Sequence, residues 1–194
     1  MTELSSDHER ARVALDLAGD FGEVMRLIDH EPLGYATTMG IDPLHVRGDA
    51  VVNLDIGFPL IADLKLDQLA ISVKAKVDGA QVPGVAFDQP LTDSRLSMVL
   101  DRNGMDVTGT VALAGIPASL NWRENFGGGA FRSRYEVDTV LDNKQRPLVS
   151  LTSQIFAAPY VDGPVRAHVV YTQFRDGTGT IESSADLKDA ERSE

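Results

Sequence analysis

Apolar and polar residues alternate along most of this chain, and that alternation predicts strands. From His45 to Phe58, the residues Val46, Gly48, Ala50, Val52, Leu54, Ile56 and Phe58 fall on one face, while Arg47, Asp49, Asn53 and Asp55 fall on the other. A period of two is that of a half-buried strand, and this one would run for roughly 45 Å. Between Leu64 and Val77 the parity changes: Leu64 and Leu66 share a face, then Leu69, Ile71, Val73, Ala75 and Val77 take over. A β-bulge near Asp67-Gln68 is expected, because a one-residue slip otherwise sends every apolar side chain to the wrong face. The alternation resumes in Leu96/Met98/Leu100, Val107/Gly109/Val111/Leu113, Ile116/Ala118/Leu120/Trp122 and Phe131/Ser133/Tyr135/Val137. It continues in Val149/Leu151/Ile155, Val165/Ala167/Val169/Tyr171 and Ile181/Ala185/Leu187.

Turn chemistry separates these runs. Asn103-Gly104 is the strongest hairpin signal. Asp78-Gly79, Asp162-Gly163 and Asp176-Gly177 are similar, and Pro83-Gly84 and Gly115 mark further corners. One region has helical spacing: Phe21, Val24, Met25 and Ile28 stand at i, i+3, i+4 and i+7, with Asp20 and Glu23 as a capping pair and Glu31-Pro32 as the stop. A second helical turn is expected from Pro32 to Met39, ending at Gly40, and Val13, Leu15 and Leu17 alternate as a strand before the helices. Val46-x-Gly48-x-Ala50 and Val107-x-Gly109-x-Val111 echo one another, a faint sign of a repeated sheet unit. The expected fold is mainly β, a curved antiparallel sheet with a short helical hairpin near residues 21–39; its apolar face is hidden by closure into a barrel, by a second stacked sheet, or by curling into an open groove or trough. Residues 1–194 read as one segment, with a strand and helical hairpin over 11–40 and an antiparallel meander over 45–188.

Composition narrows the partners. Asp and Glu total 29 against 18 Lys and Arg, a formal net charge of −11. Such a surface repels phosphate backbones and argues against nucleic acid. The chain has no cysteine, which removes thiol nucleophiles, disulfides and cysteine-based metal sites. The first twelve residues are polar with no apolar signal core, and no stretch approaches the roughly 20 apolar residues of a membrane span, so any export signal is expected on sequence outside this chain.

No catalytic constellation is found. His8, His30, His45 and His168 have no i, i+4 partner; His30 reads as a helix-end residue, and His45 and His168 as polar-face strand residues. Gly127-Gly128-Gly129 lacks the lysine and following helix of a phosphate loop and reads as a strand connection. The acidic pairs Asp101/Asp106 and Asp186/Asp189 sit at turns and strand edges, where aspartate favours the turn itself. No catalytic residue, metal site or cofactor is therefore expected. What remains is apolar surface on many strands with little helix to cover it. Val52, Leu54, Ile56, Ile71, Val73, Leu96, Met98, Val111, Leu113 and Leu120 are expected to point into one shared concave space. Patterning alone leaves open whether that space is a packed core or a groove, since both want the same side chains.

The stretch Val24 to Ala36 (VMRLIDHEPLGYA), followed by Gly40-Ile-Asp-Pro43 and Val46-Arg-Gly48, resembles the YhdP/AsmA-like envelope proteins of Gram-negative bacteria, in particular their alphaproteobacterial branch. Phe58-Pro-Leu60, Gly109 to Gly115, Leu120 to Phe126, and Asp176 to Ile181 with Ala185 to Leu187 extend the resemblance over most of the chain. It implies a large periplasmic protein anchored in the inner membrane by an N-terminal helix. Its repeated sheet forms an apolar groove that conducts phospholipids between the inner and outer membranes. On that reading the chain is an internal or truncated segment, its partners are phospholipid acyl chains and further β segments of the same parent, and it is not an enzyme. A structural scaffold module and a soluble periplasmic acyl or lipoprotein carrier are the competing expectations.

Overall fold

The computed structural model describes residues 9–29, 41–65, 68–86, 89–149 and 161–186. Among the described residues nine strands form one open antiparallel sheet in strict sequence order: β1 (Arg10–Asp20), β2 (Arg47–Pro59), β3 (Ala70–Ala86), β4 (Gln89–Asp101), β5 (Gly104–Leu113), β6 (Ile116–Asn125), β7 (Ser133–Leu141), β8 (Val165–Gln173) and β9 (Gly179–Asp186). The sheet is curved and does not close, so β1 and β9 are its edges. The expected curved antiparallel meander is the fold observed.

Helix α1 (Phe21–Asp29) leaves β1 directly. The Asp20 carboxylate accepts from the backbone N–H of Glu23 at 3.1 Å, the expected cap, and Glu23 pairs with Arg26 one turn on. The expected second helical turn, Pro32 to Met39, and His30 lie outside the described residues. A single 3₁₀ turn, Pro43–His45, precedes β2; Asp42 caps it by accepting from Leu44 N at 2.9 Å and contacts His45 Nδ1 at 2.7 Å. Those bonds hold the Asp42 carboxyl below its ordinary range, the Leu44 N–H being the larger cause. His45 therefore belongs to this turn and not to the strand face it was expected to occupy.

Three glycine signals act differently from expectation. Asp78-Gly79 is a bulge inside β3: Gly48 on β2 faces both Gly79 (φ 62°) and Ala80. Pro83-Gly84 also falls within β3, where the register to β4 shifts between Val82 and Ala86. The β4–β5 hairpin does form, but its loop is Arg102-Asn103, with Asp101 opposite Gly104. The Asp101 carboxylate accepts from the backbone N–H groups of Asn103 (2.7 Å) and Gly104 (3.2 Å), so a side-chain turn replaces the expected Asn-Gly turn. Ala114 and Gly115 both take positive φ (51° and 75°) between Leu113 and Ile116, as a two-residue type I′ hairpin requires.

Two expected strand segments are corrected. Leu64 lies in a loop, and Gln68 N donates to Lys65 O, so the parity change marks the start of β3 at Ala70 and not a bulge; Leu66 and Asp67 lie outside the described residues. Val149 ends a 3₁₀ turn, Arg146–Val149, while Leu151 and Ile155 lie outside the described residues. Arg146 is buried and donates to the carbonyls of Val161 (3.0 Å) and Gly163, tying the β7–β8 connection together.

The echoed glycines have one shared task. A second bulge, at Asp93 (φ 47°) and Ser94 on β4, faces Val111 on β5. A Cβ on Gly48 would lie 2.8 Å from Ala80 Cα beside the first bulge, and one on Gly109 would lie 2.0 Å from Arg95 O beside the second. The Ser94 hydroxyl accepts from Ala80 N at 2.8 Å and so joins the two bulges. Each bulge inserts one residue, so Ala80 and Val82, like Leu91, return to the face of Val77 and Leu96 and are buried there.

Candidate functional site

Register turns separate strand patterns into rows that cross the sheet. One row runs Leu17, Val52, Ala75, Met98, Val107, Trp122, Tyr135, Tyr171, Ile181, each directly opposite the next. It is apolar or aromatic on all nine strands. The row toward α1 reads Gly19, Ala50, Val77, Leu96, Gly109, Leu120, Val137, Val169, Ser183, and the row away from it begins Leu15, Leu54, Val73, Leu100, Met105. Beyond that, Val13, Ile56 and Ile71 continue the same face.

All ten expected lining residues share this face. Leu54 is directly opposite Val73, and Ile56 opposite Ile71. Val52 and Met98 flank Ala75, Leu96 and Leu120 flank Gly109, and Val111 and Leu113 continue β5 toward its hairpin. Only Val52 and Val111 are buried; the other eight are half-buried.

The cover is local. Phe21, Val24 and Met25 of α1 pack on the face that carries Val46, just before β2, and Ala50, Val77, Val82, Leu91 and Val111 of β2–β5. Farther from α1 the same strands present the half-buried Leu54, Ile56, Ile71 and Val73, and β1 presents Val13, Leu15 and Leu17, which are 39%, 43% and 37% exposed. The opposite face is polar, laced by Arg12–Asp55, Arg95–Asp78 (3.3 Å), Arg123–Asp106 (2.6 Å) and Asp138–His168 (2.7 Å). His168 thus holds the polar-face position expected of it.

Alternation did not reveal the features of β6–β8. Trp122 and Tyr135 stack with centroids 5.2 Å apart, and Tyr135 and Tyr171 with centroids 6.0 Å apart, making an aromatic ladder along the apolar row. The next row turns polar on these strands: Glu124, Ser133 and Gln173. Glu124 is buried, accepting from Trp122 Nε1 at 3.3 Å and pairing with Arg132 Nε at 3.4 Å. Burial, with the Glu124 carboxylate near, pushes the Tyr135 hydroxyl up to about 12. The signal in the sequence was Glu124 two residues after Trp122, the strand spacing that puts both on one face. On this face the exposed apolar side chains therefore lie on β1 and, in Tyr171 and Ile181, on β8 and β9, while Met105 and Val107 between them are buried.

The Gly127–Gly129 run is the β6–β7 connection, where Arg175 donates to the carbonyls of Asn125 (3.1 Å) and Gly127. No helix among the described residues is long and apolar enough to cross a membrane. Comparison with protein-family models, curated proteins and solved structures gives no match.

Proposed function

We propose that this chain is a segment of a periplasmic β-groove protein of the YhdP/AsmA-like type, and that phospholipid acyl chains slide along its apolar face on their way between inner and outer membrane. The observation that carries this reading is the nine-strand row from Leu17 to Ile181 on an unclosed sheet. Each buried methylene is worth roughly 0.8 kcal/mol, so leaving an apolar track for water is prohibitive for a lipid while moving along the track is not. Aliphatic and aromatic side chains with no charged group among them on the central row suit contact with acyl chains of any headgroup. An open sheet favours a conduit over a cup closed around one acyl group. The inner-membrane anchor and the further β segments are proposed to belong to the parent protein.

A photo-crosslinking residue at Leu54 or Ile71 is expected to capture phospholipid when the protein is expressed in a Gram-negative envelope, and one at Asp55 or Lys74, on the polar face, is not. Equal capture at both parities, or none at either, would sink the conduit and leave the scaffold module as the better reading.

A further inference from the structure

We propose that the exposed edge of β1 pairs antiparallel with the same edge of a second copy of this chain, about a two-fold axis at Ala14. This does not depend on what the apolar face holds. A long edge strand is a template for pairing unless it is blunted by proline, lysine, a bulge or an inward charge. β1 carries none of these. It matches β2 over eleven consecutive residues without a register shift, and its apolar face is Ala11, Val13, Leu15, Leu17 and Gly19.

The backbone fixes which groups are on offer. Glu9 O accepts from Leu60 N, so the odd-numbered residues of β1 turn their N–H and C=O toward β2. The even-numbered residues, Arg10 to Ala18, turn theirs outward. With Ala14 opposite its own copy, Arg12 faces Asp16 of that copy and Asp16 faces its Arg12, giving two opposite-charge pairs and roughly ten backbone hydrogen bonds. Within the chain, Asp55 engages Nε and Nη2 of Arg12, and Asp16 accepts from Asn53 at 2.5 Å, so both side chains are already held on the polar face. On the other face Val13 meets Leu15 of the copy. A two-fold axis normal to the sheet keeps both apolar faces on one side, so the dimer doubles the continuous apolar surface.

The other edge lacks this complementarity. β9 carries Glu182 and Asp186 and no basic residue. A β9-to-β1 contact that kept the apolar faces together would be parallel, hence weaker per residue, and would propagate without closing.

Sedimentation of the full chain tests the pairing. The chain has no cysteine, so an introduced thiol reports alone. In the dimer Ala14→Cys brings two Cα atoms to about 5.5 Å, within disulfide range. We expect a dimer in solution, oxidative cross-linking of Ala14→Cys at least ~10-fold faster than of Ser183→Cys on β9, and a dissociation constant at least ~10-fold higher for Ala14→Lys, which sets like charges face to face. Unchanged circular dichroism of Ala14→Lys separates lost pairing from lost fold. A monomeric chain, a dimer that Ala14→Lys leaves intact, or equal cross-linking at both edges would overturn the proposal.

Discussion

Two ends of the same strands carry the same alternation and meet different fates. Near α1, Met25, Val46, Val82, Leu91 and Val111 close into a core in which none is more than 9% exposed. At the far end of β1–β3, Val13 and Leu15 are 39% and 43% exposed, and Leu54, Ile56 and Ile71 are half-buried. The difference is one helix of nine residues and two bulges that return Val82 and Leu91 to the face it covers. A period of two says which side chains share a face; it does not say whether anything lies over that face.

Glycine substitution separates the ends most sharply. Gly109→Val places a Cβ 2.0 Å from Arg95 O at a φ of 152°, with backbone on the receiving side. It is expected to cost more than about 4 kcal/mol and to leave little folded protein. Gly57→Val at the open end meets only Ala70 Cβ at 3.7 Å and is expected to change stability by about 1 kcal/mol or less. Gly57 lies on the polar face, so the pair isolates the backbone contact at the bulge; urea unfolding of both variants checks it, and similar losses would mean that the approach of Arg95 O does not set the cost at Gly109.

Truncation gives a smaller contrast. Met25→Ala empties a site closed on every side and is expected to cost about 3 kcal/mol. Leu54→Ala removes a side chain already half in water and is expected to cost about 1 kcal/mol. If Leu54→Ala costs as much as Met25→Ala, the far end is a core and the groove reading fails with it. Brominated phospholipid vesicles sharpen the same point: Trp122, the sole tryptophan, stands on the apolar row and is expected to be quenched by bromines on the acyl chain. Unchanged emission would place lipid away from that row.

The strands and their parity were legible because each needs only local alternation. Glycine was read less well, since Gly79 in a bulge and Gly84 at a register shift take the same left-handed φ that they would take in a turn. Leu64 alternates by chance in a loop, and Val149 ends a 3₁₀ turn, because short apolar runs carry no mark of their partners. That the ten expected residues share one face follows from parity alone. The row that aligns Met98 with Trp122 through Val107 does not, because register depends on hairpin lengths and on both bulges. Glu124 breaks the apolar pattern, and its burial depends on Arg132 and Trp122 meeting it in space.

That buried carboxylate allows the smallest and most specific test of how covered the aromatic ladder is. Tyr135 lies between Trp122 and Tyr171, and burial first, then the Glu124 charge, raises its hydroxyl from 10 to about 12. The folded-state value exceeds the unfolded one, so the contribution to stability is complete below pH 10. Above pH 10 the unfolded chain releases its proton first, and stability falls as pH rises toward 12. Ultraviolet difference titration against Tyr135→Phe isolates this hydroxyl. Glu124→Gln keeps the shape and the indole contact but removes the charge, so the midpoint is expected to fall only part of the way to 10, because burial is the larger cause. A midpoint unchanged by Glu124→Gln would place the carboxylate in water, extending the open surface of β6–β8 by one row. A midpoint at 10 in the unaltered chain would show the aromatic ladder itself to be solvated, and the covered and open ends would then differ less than their geometry implies.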